Sequence, residues 1–247
     1  MPVAGLNSPL DDGGARLTPD ELTVVFSQKR SNGTTDLYLA TRASDDAAFD
    51  TPMLLGTVNS VSSELWPTLS PDALRLLFDS DRTTNKSRVY SSNRADVMSA
   101  FGPPSLVFAL NDGDSEPMIA NSLSLYFTSN MRGGLGMGDI FRSVIDSTGT
   151  YGTPAAVIGG VNSAGDEVAP AVTADELFIA FARDNDIYLA LRSSPQDGFG
   201  PATPIAGLAT PSANEAPTWF SPDACHLYLQ SDAAGGAGGL DIYMASR

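Results

Sequence analysis

A turn-forming tripeptide returns about every fifty residues along this chain, and that period restricts the fold more than any other feature. It reads Thr18-Pro19-Asp20, Ser70-Pro71-Asp72 and Ser221-Pro222-Asp223, with a degenerate copy at Thr173-Ala174-Asp175 and a weaker one near Asn121. The anchors at 19, 71, 121, 174 and 222 lie 52, 50, 53 and 48 residues apart, so five units fill the 247 residues. A fixed period of this length belongs to solenoids, propellers and tandem arrays.

Every unit has the same internal order. After the anchor comes an alternating segment: Leu22 to Phe26, Leu74 to Phe78, Leu123 to Phe127, Leu177 to Phe181 and Cys225 to Leu229. Its first, third and fifth positions are apolar or Cys, the period of two of a strand with one buried face. A polar or Gly-rich loop follows, such as Ser80-Asp81-Arg82 or residues 131–138. A third strand comes next, opened by Asp36, Asp139, Asp186 or Asp241, with Arg88-Val89-Tyr90 in the second unit. An aromatic and a Pro then precede a short fourth strand, for example Pro204 to Leu208. Four short antiparallel strands per unit, repeated radially, make the blades of a β-propeller. The expectation is an all-β, five-bladed propeller with little helix, in one domain over 1–247. Its units run about 9–60, 61–112, 113–163, 164–211, and 212–247 together with 1–8. Separate domains of fifty residues, without disulfides, would be too small to hold a core.

The fifth unit stops after its third strand. Pro2-Val3-Ala4-Gly5-Leu6 matches Pro204-Ile205-Ala206-Gly207-Leu208, and Asn7-Ser8 matches Asn59-Ser60 and Asn162-Ser163. The N-terminal segment is therefore expected to supply the missing fourth strand and close the ring, removing an open sheet edge.

Composition serves here to exclude. With 14 Lys+Arg against 29 Asp+Glu the formal charge is −15, opposite to what nucleic-acid phosphates or anionic lipid require. No apolar run is long enough to span a bilayer, so membrane insertion is not expected. One Cys and one His remove an intrachain disulfide, a Cys-rich zinc site and the common His-based catalytic sets. Two lysines and a single Cys agree with an exported, extracytoplasmic protein, periplasmic or secreted.

The units resemble the TolB-type, WD40-like β-propeller repeat. Leu69-Ser70-Pro71-Asp72 followed by Leu76-Leu77-Phe78-Asp79-Ser80-Asp81-Arg82 carries the resemblance, as do Ser231-Asp232, the Gly-rich loop to Gly239 and Asp241-Ile242-Tyr243. It covers essentially the whole chain. Glu21, Ala73, Glu176 and Ala224 stand where the family has Gly after Ser-Pro-Asp, and five units replace the six of TolB. The resemblance implies a bacterial envelope setting and a binding role, without the particular role of TolB.

An acid recurs seven residues before each anchor: Asp12, Glu64, Asp114, Glu167 and Glu215. The resemblance places this position at the rim of the central channel. Five carboxylates there would focus a negative field suited to a cation or a basic partner. The alternative is pairing with Arg at blade junctions, for which Arg30 and Arg82 stand in neighbouring loops. The Asp opening each third strand equally suits local bonding to backbone amides. Asp184, Asp186, Asp112 and Asp114 offer hard oxygen ligands for calcium, without EF-hand spacing, and no other cofactor is expected. His226 and Cys225 occupy ordinary strand positions. The leading expectation is a non-enzymatic, monomeric binding propeller that presents its loop face and acidic rim to a protein, carbohydrate or cation. The alternative is a five-bladed glycoside hydrolase using Glu64, Glu167 and Glu215.

Overall fold

The computed structural model describes residues 1–83, 86–110, 113–210 and 212–246. The first blade comprises β1 (Asp12–Leu17), β2 (Thr23–Lys29), β3 (Thr35–Thr41) and β4 (Met53–Leu54). The second has β5 (Glu64–Leu69), β6 (Arg75–Ser80), β7 (Arg88–Asn93) and β8 (Ser105–Leu106). The third has β9 (Asp114–Asn121), β10 (Ser124–Ser129), β11 (Asp139–Val144) and β12 (Ala155–Ala156). The fourth has β13 (Glu167–Val172), β14 (Phe178–Arg183), β15 (Asp186–Leu191) and β16 (Thr203–Pro204). The fifth has β17 (Glu215–Phe220), β18 (His226–Ser231) and β19 (Asp241–Ser246). Strands within each blade pair antiparallel in sequence order, and no helix occurs among the described residues. The fold is the expected all-β, five-bladed propeller.

The fifth blade is completed from the other end of the chain. Pro2 pairs antiparallel with Tyr243, Val3 N–H donates to the Ile242 carbonyl at 3.0 Å, and Met244 N–H donates to the Met1 carbonyl at 2.8 Å. The fourth blade has the same pattern, with Pro204 opposite Tyr188 and Ile205 N–H donating to Ile187. The sequence match between the two segments thus reflects an identical place in the sheet.

The core lies between blades. Val25 and Leu37 of the first blade share a cluster with Leu69, Leu76 and Phe78 of the second. Within blades, Phe26, Phe78, Phe127 and Phe181 stack on Tyr38, Tyr90, Phe141 and Tyr188 at 5.9, 6.0, 6.0 and 6.1 Å. Each buried Phe contributes roughly 1.5–3 kcal/mol, and the clusters they join draw on more than one blade, so no unit stands alone.

Every innermost strand carries a β-bulge. In β1, Asp12 and Gly13 oppose Gln28 and Ser27, whereas Arg16 opposes Val25, so two residues face one. The residue two after the acid adopts the left-handed region in four blades: Gly14 at φ 61°, Trp66 at 50°, Glu116 at 55° and Ala169 at 55°. Pro67, Pro117 and Pro170 follow, where a bulge removes the need for an N–H.

The anchor turns explain the missing glycines. Glu21, Ala73, Glu176 and Ala224 all have φ between 54° and 59°, the conformation Gly adopts at least cost. Two of the four residues return something for that strain. Glu176 reaches into the third blade and accepts from Tyr126 Oη at 2.6 Å, Ser124 Oγ at 2.7 Å, Asn121 Nδ2 at 3.0 Å and Arg142 Nε at 2.8 Å. Glu21 joins the first blade to the fifth through Tyr228 Oη at 3.1 Å, His226 Nδ1 at 3.3 Å and Arg42 at 3.5 Å. His226 is therefore part of a blade junction. Where Ala replaces Glu, the neighbouring blade has aliphatic Val25 or Ala180 at the Tyr position.

Burial opposes ionisation of Glu176, but hydrogen bonds led by Arg142 and Tyr126 outweigh it and hold the carboxyl at about 2, against an ordinary 4.5. A folded value below the unfolded one gives stability that is complete above pH 4.5 and lost as the pH falls toward 2. Glu176→Gln is expected to cost about 3 kcal/mol at neutral pH and much less at pH 3. Urea melts at the two pH values check this, and equal losses at both would refute it.

Candidate functional site

Asp12, Glu64, Asp114, Glu167 and Glu215 each open an innermost strand, and all five are buried. The structure sets them under the surface, bonded where the chain enters each blade. Glu64 accepts from Arg82 Nη2 at 2.9 Å, Ser60 N–H at 2.9 Å and Ser80 Oγ at 2.9 Å. Asp114 takes Arg132 through Nε and Nη2 at 2.9 and 2.5 Å. Glu167 takes Arg183 Nε at 2.6 Å and Ser163 N–H at 2.7 Å. Asp12 has Gln28 and the Ser8 amide in the corresponding places, and Glu215 has the Thr210 amide. Arg30 pairs with Asp36 at 2.8 Å instead of Asp12. The arrangement joins the entry loop of a blade to the end of its second strand.

The third-strand acids behave in the same local way. Asp139 accepts from Leu135 and Gly136 amides, and Asp241 from Gly238. Asp184 sits with Asn185 in a turn with φ of 52° and 72°, and Asp186 begins β15. Among the described residues, no three His, Cys, Asp or Glu side chains are grouped to hold a metal ion. Asp112 lies outside the described residues.

The axis is occupied by a residue that composition and repeats did not single out. Arg16, on β1, is 1% exposed. Its Nε donates to the Thr218 carbonyl of β17 at 3.0 Å and its Nη1 to the Pro117 carbonyl of β9. Longer contacts of 3.5 Å run to the carbonyls of Trp66 on β5 and Pro170 on β13. One guanidinium thus touches the innermost strands of all four other blades, which only a group on the axis can do. The bulges present these carbonyls, and the planar five-donor fork of Arg matches them. Trp66 lies against the same group, 5.7 Å from ring centre to Cζ. Burial pushes Arg16 down to about 10, opposed by Glu116 and Asp79, so it stays charged at neutral pH.

Glu116 and Asp79 are the counter-charges. Asp79 accepts from the Glu116 N–H at 2.7 Å, while its other oxygen is buried without a hydrogen-bond partner. Glu116 accepts from Thr128 Oγ1 and Ala169 N–H, each at 2.6 Å. Burial pushes both carboxyls up, Asp79 well above the ordinary range. Above this cluster, on the face where the innermost strands begin, the channel mouth opens into a cavity of about 490 Å³. Trp66, Glu116, Asp166, Asp184, Asn185 and Asn214 are among its walls. Trp66 and Glu116 neighbour Arg16 and are shared between cluster and cavity. The sequence signal for this site was available: Arg16 is the lone charged residue at its repeat position, where other units have Thr68, Met118, Ala171 and Trp219.

No protein-family model matches the chain, and no curated protein matches it. Solved structures do. A putative TolB from Agrobacterium tumefaciens superposes with a TM-score of 0.55 at 17% identity, over 96% of this chain and 74% of that one. The α-L-arabinofuranosidase PaAbf62A from Podospora anserina, solved with cellotriose, gives 0.60 at 11% identity, over 100% and 94%. The GH43_1 enzyme from Xanthomonas citri gives 0.64 at 12% identity, over 98% and 90%. At these identities the likeness shows the propeller fold, shared by proteins of different activity.

Proposed function

We propose that the protein is a non-enzymatic, monomeric binding propeller that takes a neutral carbohydrate at the channel mouth. The observation that carries this reading is the mouth cavity itself, lined by residues of several blades. Side-chain amides and carboxylates there can donate to and accept from vicinal hydroxyls, and Trp66 supplies an aromatic surface. Four of the repeated acids, Asp12, Glu64, Asp114 and Glu167, are hydrogen-bonded away from this cavity, and Glu215 lines it. The paucity of Lys and Cys supports an extracytoplasmic setting. Thermal-shift and calorimetric screens against neutral oligosaccharides test the reading. A ligand at a hundred times its Kd adds about 2.7 kcal/mol to stability, an upward shift that Asp166→Ala and Asn214→Ala are expected to remove. A panel with no shift in the intact protein would overturn it.

A glycoside hydrolase remains the second reading, and one observation favours it. Burial raises the Glu116 carboxyl, as a general acid requires, in a cavity that also holds Asp166 and Asp184. Of the acids Glu64, Glu167 and Glu215, only Glu215 lines this cavity. Release of reducing ends from oligosaccharides that vanished in Glu116→Gln would establish this reading in place of the first.

A further inference from the structure

The fifth blade departs from the repeat at the acid that opens its innermost strand. In blades two, three and four that acid meets an Arg: Glu64 with Arg82 at 2.9 Å, Asp114 with Arg132 at 2.5 Å and Glu167 with Arg183 at 2.6 Å. Asp12 of the first blade has the Gln28 amide at 2.7 Å instead. Glu215 has neither. Ala233 holds the place of Arg82. Glu64 and Glu215 lie opposite Ser80 and Ser231, and Arg82 and Ala233 each donate N–H to that serine's Oγ, at 3.3 and 3.1 Å. The Glu215 carboxyl keeps one hydrogen bond among the described residues, from Thr210 N–H to Oε2 at 3.3 Å, and Oε1 accepts none. The residue is 4% exposed and lines the mouth cavity. A buried carboxylate with one long bond and no counter-charge is costly to hold. The cavity is the side from which a counter-charge can reach it.

The rest of the mouth has the same sign. Glu116, Asp166, Asp184 and Glu215 line it, and no Lys, Arg or His does among the described residues. Arg16 is the counter-charge of Glu116. Asp166 and Asp184 form no ion pair and accept no hydrogen bond among the described residues. Three carboxylates are thus left without a cation around one opening, which selects a positive group over a neutral or negative one. The Glu215 N–H donates to the Asn185 carbonyl at 3.0 Å, which sets Asp184 and Asn185 of the fourth blade beside Glu215. Trp66, from the second blade, packs against the small residues Ala169, Ala182 and Ala216, the last adjoining Glu215 in the chain. An aromatic face, side-chain amides and a carboxylate in need of a partner therefore meet in one cavity. A sugar ring carrying an ammonium uses all three, through contact with the indole, hydroxyl bonds and a charge-assisted bond.

We propose that the mouth takes an amino sugar with a free amine, its ammonium on Glu215 and its ring against Trp66. The proposal rests on the mouth being a carbohydrate site and extends that reading from neutral sugars to a cationic one. Calorimetry of the full chain against matched trisaccharides of glucosamine, N-acetylglucosamine and glucose, and against putrescine, is the test. The glucosamine saccharide is expected to bind at least about tenfold more tightly than either neutral saccharide and than putrescine, the worth of one hydrogen bond to a charged group. Its advantage is expected to fade as the pH rises through deprotonation of its amines. Glu215→Gln, which keeps an acceptor for the Thr210 N–H, is expected to remove the advantage. Ala233→Arg, which supplies the arginine of the other blades, is expected to remove it too, with no fall in melting temperature. Equal binding of the three saccharides would overturn the proposal and leave the carbohydrate reading standing, whereas no binding of any saccharide would overturn both. Putrescine binding as tightly as the glucosamine saccharide, or an advantage that survives either substitution, would also overturn the proposal.

Discussion

Arg16→Met is expected to lower the stability of the protein by about 3–5 kcal/mol, the range found when one partner of a buried charge cluster is removed. The substitution keeps much of the apolar stem and deletes the guanidinium. The carbonyls of Pro117 and Thr218 then lose their close donor. Glu116 and Asp79 lose their counter-charge in a setting that already pushes both carboxyls up. For a chain of this length the loss corresponds to a fall in melting temperature of about 10 °C. Arg16→Lys is expected to fall between wild type and Met, because an ammonium restores charge without the planar fork. Calorimetric melts of the three proteins check the order. If Met melts with wild type, the axial cluster has no structural weight.

The second large effect is expected from removing residues 1–6. Val3 and Leu6 are 9% and 2% exposed, and full burial of two such side chains contributes roughly 3–6 kcal/mol. The Met1 and Val3 bonds to β19 go with them, as does the Ala4 carbonyl that accepts from Phe49 N–H at 3.1 Å. Deletion also uncovers the outer edge of β19, a template for pairing with another chain. The expected result is a melting temperature lower by about 10 °C or more, together with concentration-dependent association seen by light scattering. An unchanged melting temperature would sink the ring-closure account.

The fold was legible because its signals are local and repeated. Alternation at Leu74, Leu76 and Phe78, the Ser-Pro-Asp turns and the likeness of residues 2–6 to 204–208 each point to one architecture. The radial position of the repeated acids rests on a subtler mark. Alternation counted from Asp12 would place Arg16 on the same face. The extra residue at the bulge reverses this, since Asp12 pairs with Gln28 but Arg16 with Val25, on opposite faces of β2. The bulge residue itself, Gly14, Trp66, Glu116 or Ala169, has no shared type, and the Pro that follows it at 67, 117 and 170 was the mark to read. The acids therefore bond where the chain enters each blade, and the axis went to the singular Arg16. Glu116 was equally singular and equally readable, had departures from the repeat been weighed above its regularities.

The axial position of Arg16 has a consequence for how the ring comes apart. In an open stack of repeats each unit touches only its neighbours, so an end unit can fray while the rest stays folded. A closed ring has no end unit, and here its centre is held by a group from the first blade whose acceptors lie in the other four. Opening any one blade withdraws an acceptor from the same cation, which places the cost of a local event on the whole circle. Unfolding should therefore pass as one transition, with amide exchange in the innermost strands set by global opening and uniform from blade to blade.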